Sequence, residues 1–356
     1  MNPTNLRIAM VSLYLPSGSK IGSGYQAHYM ANGLVRRGHQ VTMFTPCGPC
    51  DDALYETVTV PVGQRLRTFR FAWNLRKIDL SAYDVIHAHG DDYWLWSPSK
   101  PAHVRTMHGS CLAEARHVPG LSEKLRMFML GLSEILATKV AHRTACVSQN
   151  TRRYYPWADT VIMNGVDTAA FHSRGTKEAS PTILFVGTYQ NRKRGKLLVD
   201  AFHETIRPAL PEAKLWMVCQ DAPSGNGVEV LGRLSVEELA DRYRRAWIFC
   251  LPSSYEGFGV PYIEAMASGT PVVATPNLGA CEVLADGKFG LIVEPEELGR
   301  AIVSLLQDAP RLARMREIGL QRARDFSWDT ILQQYESLYG GILEQRHRRV
   351  PAVVAP

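Results

Sequence analysis

Short apolar runs closed by glycine-bearing or polar loops alternate along the chain with stretches carrying apolar residues every three or four positions. The runs lack polar alternation, as in parallel strands covered on both faces, and the intervening stretches read as helices. Strands are predicted at Arg7–Tyr14, Val41–Thr45, Asp84–Gly90, Val104–Ser110, Ala145–Ser148 and Val161–Asp167. A second series covers Thr182–Gly187, Leu215–Gln220, Val228–Leu231, Trp247–Leu251 and Val272–Ala274. Between them lie apolar stripes at helical spacing: Ala27, Met30, Ala31, Leu34 and Val35, then Leu125, Phe128, Met129, Leu132 and Leu136. Ser235-Val236-Glu237-Glu238 spells a capping box, and Trp328–Gln345 reads as a final amphipathic helix through Ile331, Tyr335, Leu338 and Ile342.

This is an α/β chain of two Rossmann-like halves. Ser173–Pro181 is polar and strand-free and is taken as the linker. The expected domains are 1–174, joined by helix 327–345, and 175–326, with 346–356 a frayed tail.

The most informative stretch runs from Trp247 to Ala274. A buried strand leads into Pro252-Ser253-Ser254-Tyr255-Glu256-Gly257-Phe258-Gly259, and Pro261 suits the first turn of a helix that stops at Ser268-Gly269. The loop sits at the carboxyl end of its strand, where ligands bind in open α/β sheets. Gly257 and Gly259 let backbone amides approach a ligand, and the positive helix end favours phosphate. Glu264 is placed to accept from vicinal hydroxyls such as those of a ribose, and Glu256 from a sugar. As a bare pair, two glutamates at this spacing mean little.

The remaining composition narrows the chemistry. Net charge of +6 suits nucleotide diphosphates or a lipid surface without choosing between them. No apolar run approaches the roughly 20 residues of a spanning helix, and the N-terminus does not resemble a secretory leader, so a cytoplasmic protein is expected. Seven scattered cysteines point to reduced thiols, and Cys47-Gly48-Pro49-Cys50 reads as a loop rather than a redox dithiol. Arg65–Lys77 interleaves cations with aromatics; it is either a solvated basic face or a peripheral contact with anionic lipid. Gly22-Ser23-Gly24-Tyr25-Gln26-Ala27 fits a dinucleotide fingerprint, but the strand after it ends in Thr45-Pro46 with no acid for a ribose. His87, His89, His103 and His108 lack the carboxylate or cysteine partners of a familiar metal set, and no Asp-x-Asp occurs, so no metal and no cofactor are expected.

The string Glu256-Gly-Phe-Gly-Val-Pro…Glu264-Ala-Met-Ala-Ser-Gly-Thr-Pro-Val-Val-Ala resembles the signature of family-4 retaining glycosyltransferases of the GT-B fold. The resemblance implies two Rossmann-like domains facing across a cleft, with a C-terminal helix crossing back to the first. It implies transfer of a sugar from a nucleoside-diphosphate sugar to an acceptor glycan, lipid-linked sugar or small molecule, with no nucleic-acid partner. In this light the catalytic candidates are His108, Arg194, Lys193 and Glu256. The donor-binding candidates are Gly24, Arg192, Arg233, Gly257, Phe258, Gly259, Val260 and Glu264. The family carries Arg after the Gly187 position, where this chain has Thr188, and Lys where it has Arg194. Alternatives within the fold are a sugar-nucleotide epimerase or a phosphorylase, and from another class a non-catalytic nucleotide-sugar-binding protein.

Overall fold

The structure, a computed structural model, describes residues 5–18, 21–63, 65–95, 101–116, 118 and 120–349. The chain divides into two compact units, Met1–Gly165 with Trp328–Pro356, and Val166–Ser327.

Unit 1 is built on a parallel seven-stranded sheet in the order β3-β2-β1-β4-β5-β6-β7. Its strands are β1 (Arg7–Val11), β2 (Gln40–Thr45), β3 (Glu56–Thr59), β4 (Val85–Ala88), β5 (Ala102–Met107), β6 (Arg143–Cys146) and β7 (Thr160–Val161). All but the edge strands β3 and β7 are almost wholly buried, as in a parallel sheet covered on both faces. Helix α1 (Gly22–Arg36) follows β1, α2 (Arg67–Leu75) precedes β4, and α3 (Leu121–Val140) leads into β6.

The C-terminal helix, Trp328–Arg349, belongs to this unit. Ile331, Leu332, Tyr335, Tyr339 and Ile342 join the core formed by β1, β2 and α1. Polar groups then fix its register. Arg37 grips Glu336 with Nε and Nη2, both at 2.8 Å, and Tyr339 Oη lies 2.6 Å from His87 Nδ1. Gly33 leaves room for Leu332, whose Cδ1 would lie 2.5 Å from any added Cβ. The helix outruns the expected end at 345, because the following Arg-rich residues are good helix formers.

Unit 2 carries a parallel six-stranded sheet in the order β10-β9-β8-β11-β12-β13, the 3-2-1-4-5-6 arrangement of doubly wound folds. The strands are β8 (Thr182–Val186), β9 (Lys214–Val218), β10 (Val228–Val230), β11 (Ile248–Leu251), β12 (Val272–Ala274) and β13 (Leu291–Ile292). Helices α4 (Gly195–Ala201), α5 (Val236–Arg245), α6 (Val260–Ala267) and α7 (Leu278–Val283) concern the site. The capping box at α5 forms in both directions between Ser235 and Glu238.

The units divide at Gly165 and Val166, upstream of the expected break at 174. Ser173–Pro181 is tied into unit 2 rather than hanging as a linker. Lys177 Nζ donates to Ala246 O and Thr270 Oγ1, Trp247 Nε1 donates to Glu178 O, and Arg316 donates to Ser173 O.

Candidate functional site

In unit 2 the exit loops of β8 and β11 are stapled to each other. Ser254 N donates to Arg192 O at 2.8 Å, and Arg192 Nη1 donates to Tyr255 O at 2.9 Å. Between them Lys193 Nζ meets Glu256 Oε1 at 2.7 Å, with Arg192 Nη1 at 3.3 Å from the same oxygen. Glu256 is buried, which by itself would raise its pKa; Lys193 and Arg192 outweigh that and hold it below the ordinary carboxylate range. Burial in turn pulls the Lys193 ammonium down, against the opposing pull of Glu256. The arrangement is a desolvated carboxylate kept ionised by two cations.

The loop then turns into α6. Gly259 adopts a φ of 101° at the N-cap, and a Cβ there would lie 2.4 Å from Tyr262 Cδ2, so only glycine fits. No side chain caps this end, and Pro261 occupies the first turn. The amides from Gly259 onward therefore face an uncapped helix start of the kind that holds phosphate. Val260 begins the helix. Phe258 is buried edge-to-face on Phe326, so any donor contact from it must come through its backbone.

Glu264 lies half-buried on α6. Tyr243 Oη, from α5, donates to Glu264 Oε2 at 3.1 Å. Burial dominates and pushes its pKa up to about 7, with the Tyr243 bond and Lys193 working the other way. Both Glu264 and Glu256 are thus within the influence of one lysine.

Arg194 stands in the left-handed region, φ 52°, between the turn and α4. Its Nε donates to Pro252 O at 2.6 Å and its Nη2 to Thr275 Oγ1 at 2.7 Å. These two donors brace the exits of β11 and β12. Thr188 turns its hydroxyl to Gln190 O at 2.9 Å. Arg233 is exposed in the loop after edge strand β10, and among the described residues no hydrogen bond or ion pair joins it to the Glu256–Glu264 cluster.

Two contributors escaped the sequence reading. Tyr243 has no motif around it that announces a carboxylate partner. The other is Gly279, where a Cβ would stand 2.6 Å from Phe258 O and 2.7 Å from Glu256 Cβ. The bare residue lets α7 rest on the backbone of the glutamate loop.

In unit 1, Gly24 lies within the first turns of α1, and an added Cβ would meet Tyr14 O at 2.8 Å. Its lack of a side chain serves contact between the helix and the β1 exit loop. His108 is half-buried beyond β5. Its Nε2 lies 2.9 Å from His89 Nδ1, the rings stack at 5.1 Å, and Asn164 also hydrogen-bonds the ring. Burial lowers its pKa to about 4, with Arg105 adding to the effect, so the imidazole is neutral near pH 7. His87 is fully buried between Tyr339 and Thr106 and ties the sheet to the C-terminal helix. His103 pairs with Asp92, which also pairs with buried Arg105. Among the described residues no group of three or more His, Cys, Asp or Glu side chains could hold a metal ion.

Both halves of the chain resemble known proteins. Residues 22–170 match the model described as Glycosyltransferase Family 4, and residues 180–308 the model described as Glycosyl transferases group 1. D-inositol 3-phosphate glycosyltransferase of Thermobispora bispora is 29% identical over 317 residues, covering 76% of this chain and 73% of that protein. Among solved structures, sucrose-phosphate synthase from Thermosynechococcus elongatus superposes with a TM-score of 0.79 at 21% identity, covering 96% of this chain and 100% of that one. Anabaena HepE, solved in complex with UDP-glucose, gives a TM-score of 0.74 at 17% identity over 95% of this chain and 100% of its own. With two doubly wound parallel sheets and both halves matched in sequence, the chain belongs to the family-4 glycosyltransferases of the GT-B fold.

Proposed function

We propose that the protein is a retaining glycosyltransferase that takes its sugar from a nucleoside-diphosphate sugar and needs no divalent metal. The carrying observation is the pairing of Glu256 with Lys193 and of Glu264 with Tyr243 on either side of an uncapped helix start. Glu264 is suited to accept from the ribose hydroxyls. The amides of Gly257, Gly259 and Val260 would take the diphosphate, and Glu256 would orient hydroxyls of the donor sugar.

Charge on the leaving group is met by Lys193 and Arg192, which already face the loop, with Arg194 bracing the strand exit they depend on. Such fixed cations and amides act as a preorganised electrostatic site. In the reaction the bond between the anomeric carbon and the phosphate oxygen breaks, and the nucleoside diphosphate leaves with the electron pair. The acceptor oxygen attacks from the same face, and its proton passes to the departing phosphate oxygen. His108, neutral and held by His89 and Asn164, belongs to the acceptor or phosphate side. The UDP-glucose bound to the Anabaena relative supports the donor class, and the name of the Thermobispora relative supports a small phosphorylated acceptor.

A second reading, a nucleotide-sugar binder without turnover, is favoured by Thr188, which bonds its own loop where the family has an arginine. One experiment separates the two. Purified protein is incubated with a panel of nucleotide sugars and acceptors in chelator, and products are followed by proton NMR. A glycoside with the donor's anomeric configuration supports transfer with retention. An inverted product, rescue only by a divalent ion, or binding without product from any acceptor contradicts it.

A further inference from the structure

Three histidines stand in a row at the exits of β4 and β5. His87 is pinned through both ring nitrogens: Tyr339 Oη lies 2.6 Å from Nδ1 and Thr106 Oγ1 2.8 Å from Nε2. Thr106 is held in turn by Tyr335 Oη at 2.9 Å. The His89 ring lies on His87, with 4.6 Å between centroids and 21° between planes. The His89 backbone amide donates to Val11 O at 2.8 Å. Its Nδ1 then meets His108 Nε2 at 2.9 Å. The C-terminal helix thus reaches His108 through two fixed rings.

His89 is spent on that one contact. It is only 9% exposed, and among the described residues its Nε2 has no hydrogen-bond partner. A side chain kept there only to fill space would do better without an imidazole, since burying an unpaired polar atom costs stability.

Burial keeps all three rings neutral near pH 7. Each then carries one proton, and the bond between His89 and His108 can be made in two ways. If His108 Nε2 donated, the His89 proton would be forced onto Nε2 and buried there without an acceptor. If His89 Nδ1 donates, its Nε2 keeps only a bare lone pair. An orphaned buried N–H is the rarer of the two defects. Asn164 agrees: its bond favours the protonated His108 ring, so its oxygen takes a ring N–H, and with Nε2 turned to His89 that proton is on Nδ1.

From the 2.9 Å contact and the partnerless Nε2 we infer that His89 is a positioning residue, donating Nδ1–H to His108 Nε2 and so fixing the single His108 proton on Nδ1. His108 then meets an oxygen of donor or acceptor as a hydrogen-bond donor, not as a base. That role toward substrate rests on the proposed transfer, in which the acceptor proton passes to the departing phosphate and no basic histidine is needed.

The test pairs a tautomer measurement with kinetics. Two-bond proton–nitrogen spectra of the full chain with isotope-labelled histidine, assigned with His108→Gln, read which His108 nitrogen carries the proton. A protonated Nδ1 and a bare Nε2 are expected, and a proton on Nε2 overturns the inference. His89→Leu should let both His108 tautomers appear and lower kcat about tenfold with the donor KM unchanged. His89→Asn, whose amide donates from nearly the same place, should restore the single tautomer and most of kcat. Equal kcat in the wild type and His89→Leu overturns the inference, as does His89→Asn being as impaired as His89→Leu. A wild type without turnover sinks the proposed function instead, and the tautomer spectra alone then decide the role of His89.

Discussion

Lys193 Nζ donates to Glu256 Oε1 at 2.7 Å, joining the exit loops of two adjacent strands, β8 and β11, through one buried contact. Deleting one member of a buried pair strands the other in a low-dielectric setting. Lys193→Ala should therefore lower the stability of unit 2 by about 3 kcal/mol and turnover by about 10²-fold. Adding Glu256→Gln should restore part of the stability and none of the turnover. Urea unfolding and initial rates measure the two separately, and a double variant no more stable than the single one would remove the pairing as the cause.

If Glu264 holds the donor's ribose as proposed, its raised pKa makes donor binding pH-dependent. The carboxylate must be ionised to accept from ribose hydroxyls, and burial keeps it protonated up to about 7. Affinity for the donor should climb as pH rises through that value, with proton release on binding. Glu264→Gln should bind weakly with a flat profile. The same shift acts oppositely on folding: the folded chain holds this proton longer than the unfolded one, so its contribution to stability declines from the ordinary value of 4.5 toward 7. Titration calorimetry in buffers of differing ionisation heat reads the proton directly.

Glu336 anchors the C-terminal helix. Burial would raise its pKa, but Arg37 and His39 outweigh it and lower the value from 4.5. The stabilisation is complete above the unfolded glutamate value and is lost as pH falls through the lowered folded one. Glu336→Ala should cost about 2 kcal/mol and flatten this acid dependence. Tyr339→Phe, which removes the bond to His87, should cost about 1 kcal/mol without changing it.

Gly279→Ala tests whether α7 positions the glutamate loop. The new methyl would collide with Phe258 O and Glu256 Cβ, and those atoms belong to backbone or its immediate neighbour. A displacement of this kind should reduce turnover by about 10²-fold while the melting curve moves little. Unchanged kinetics would show that the loop relaxes freely.

Much of this architecture was legible in the sequence. The buried parallel strands announce themselves as apolar runs, and the glycine-flanked loop before α6 carries the family likeness. Strand β3 was missed because Glu56-Thr-Val-Thr59 offers one aliphatic side chain at a half-exposed edge. Helix α3 was found, but its stripe was counted without a direction: with apolar residues on both sides, periodicity cannot say which face is inward. In the site, Glu256 and Glu264 could be named, whereas the bonds that set their protonation come from Lys193 and Tyr243, distant in sequence. Arg194 illustrates the opposite case. Its position beside a glycine fits a phosphate ligand, yet only coordinates reveal that two of its donors hold Pro252 and Thr275.

The central claim is that a nucleotide's ribose sits on Glu264, with its diphosphate on the α6 amides and on Lys193 and Arg192. Isothermal titration of the wild type and of Glu264→Ala with UDP, GDP, ADP and their hexose conjugates measures this most directly. Saturable binding of at least one nucleotide sugar by the wild type, weakened at least about tenfold in the variant with an unchanged melting temperature, is the predicted result. Equal affinity in both proteins, or no binding by a well-folded wild type, would contradict it.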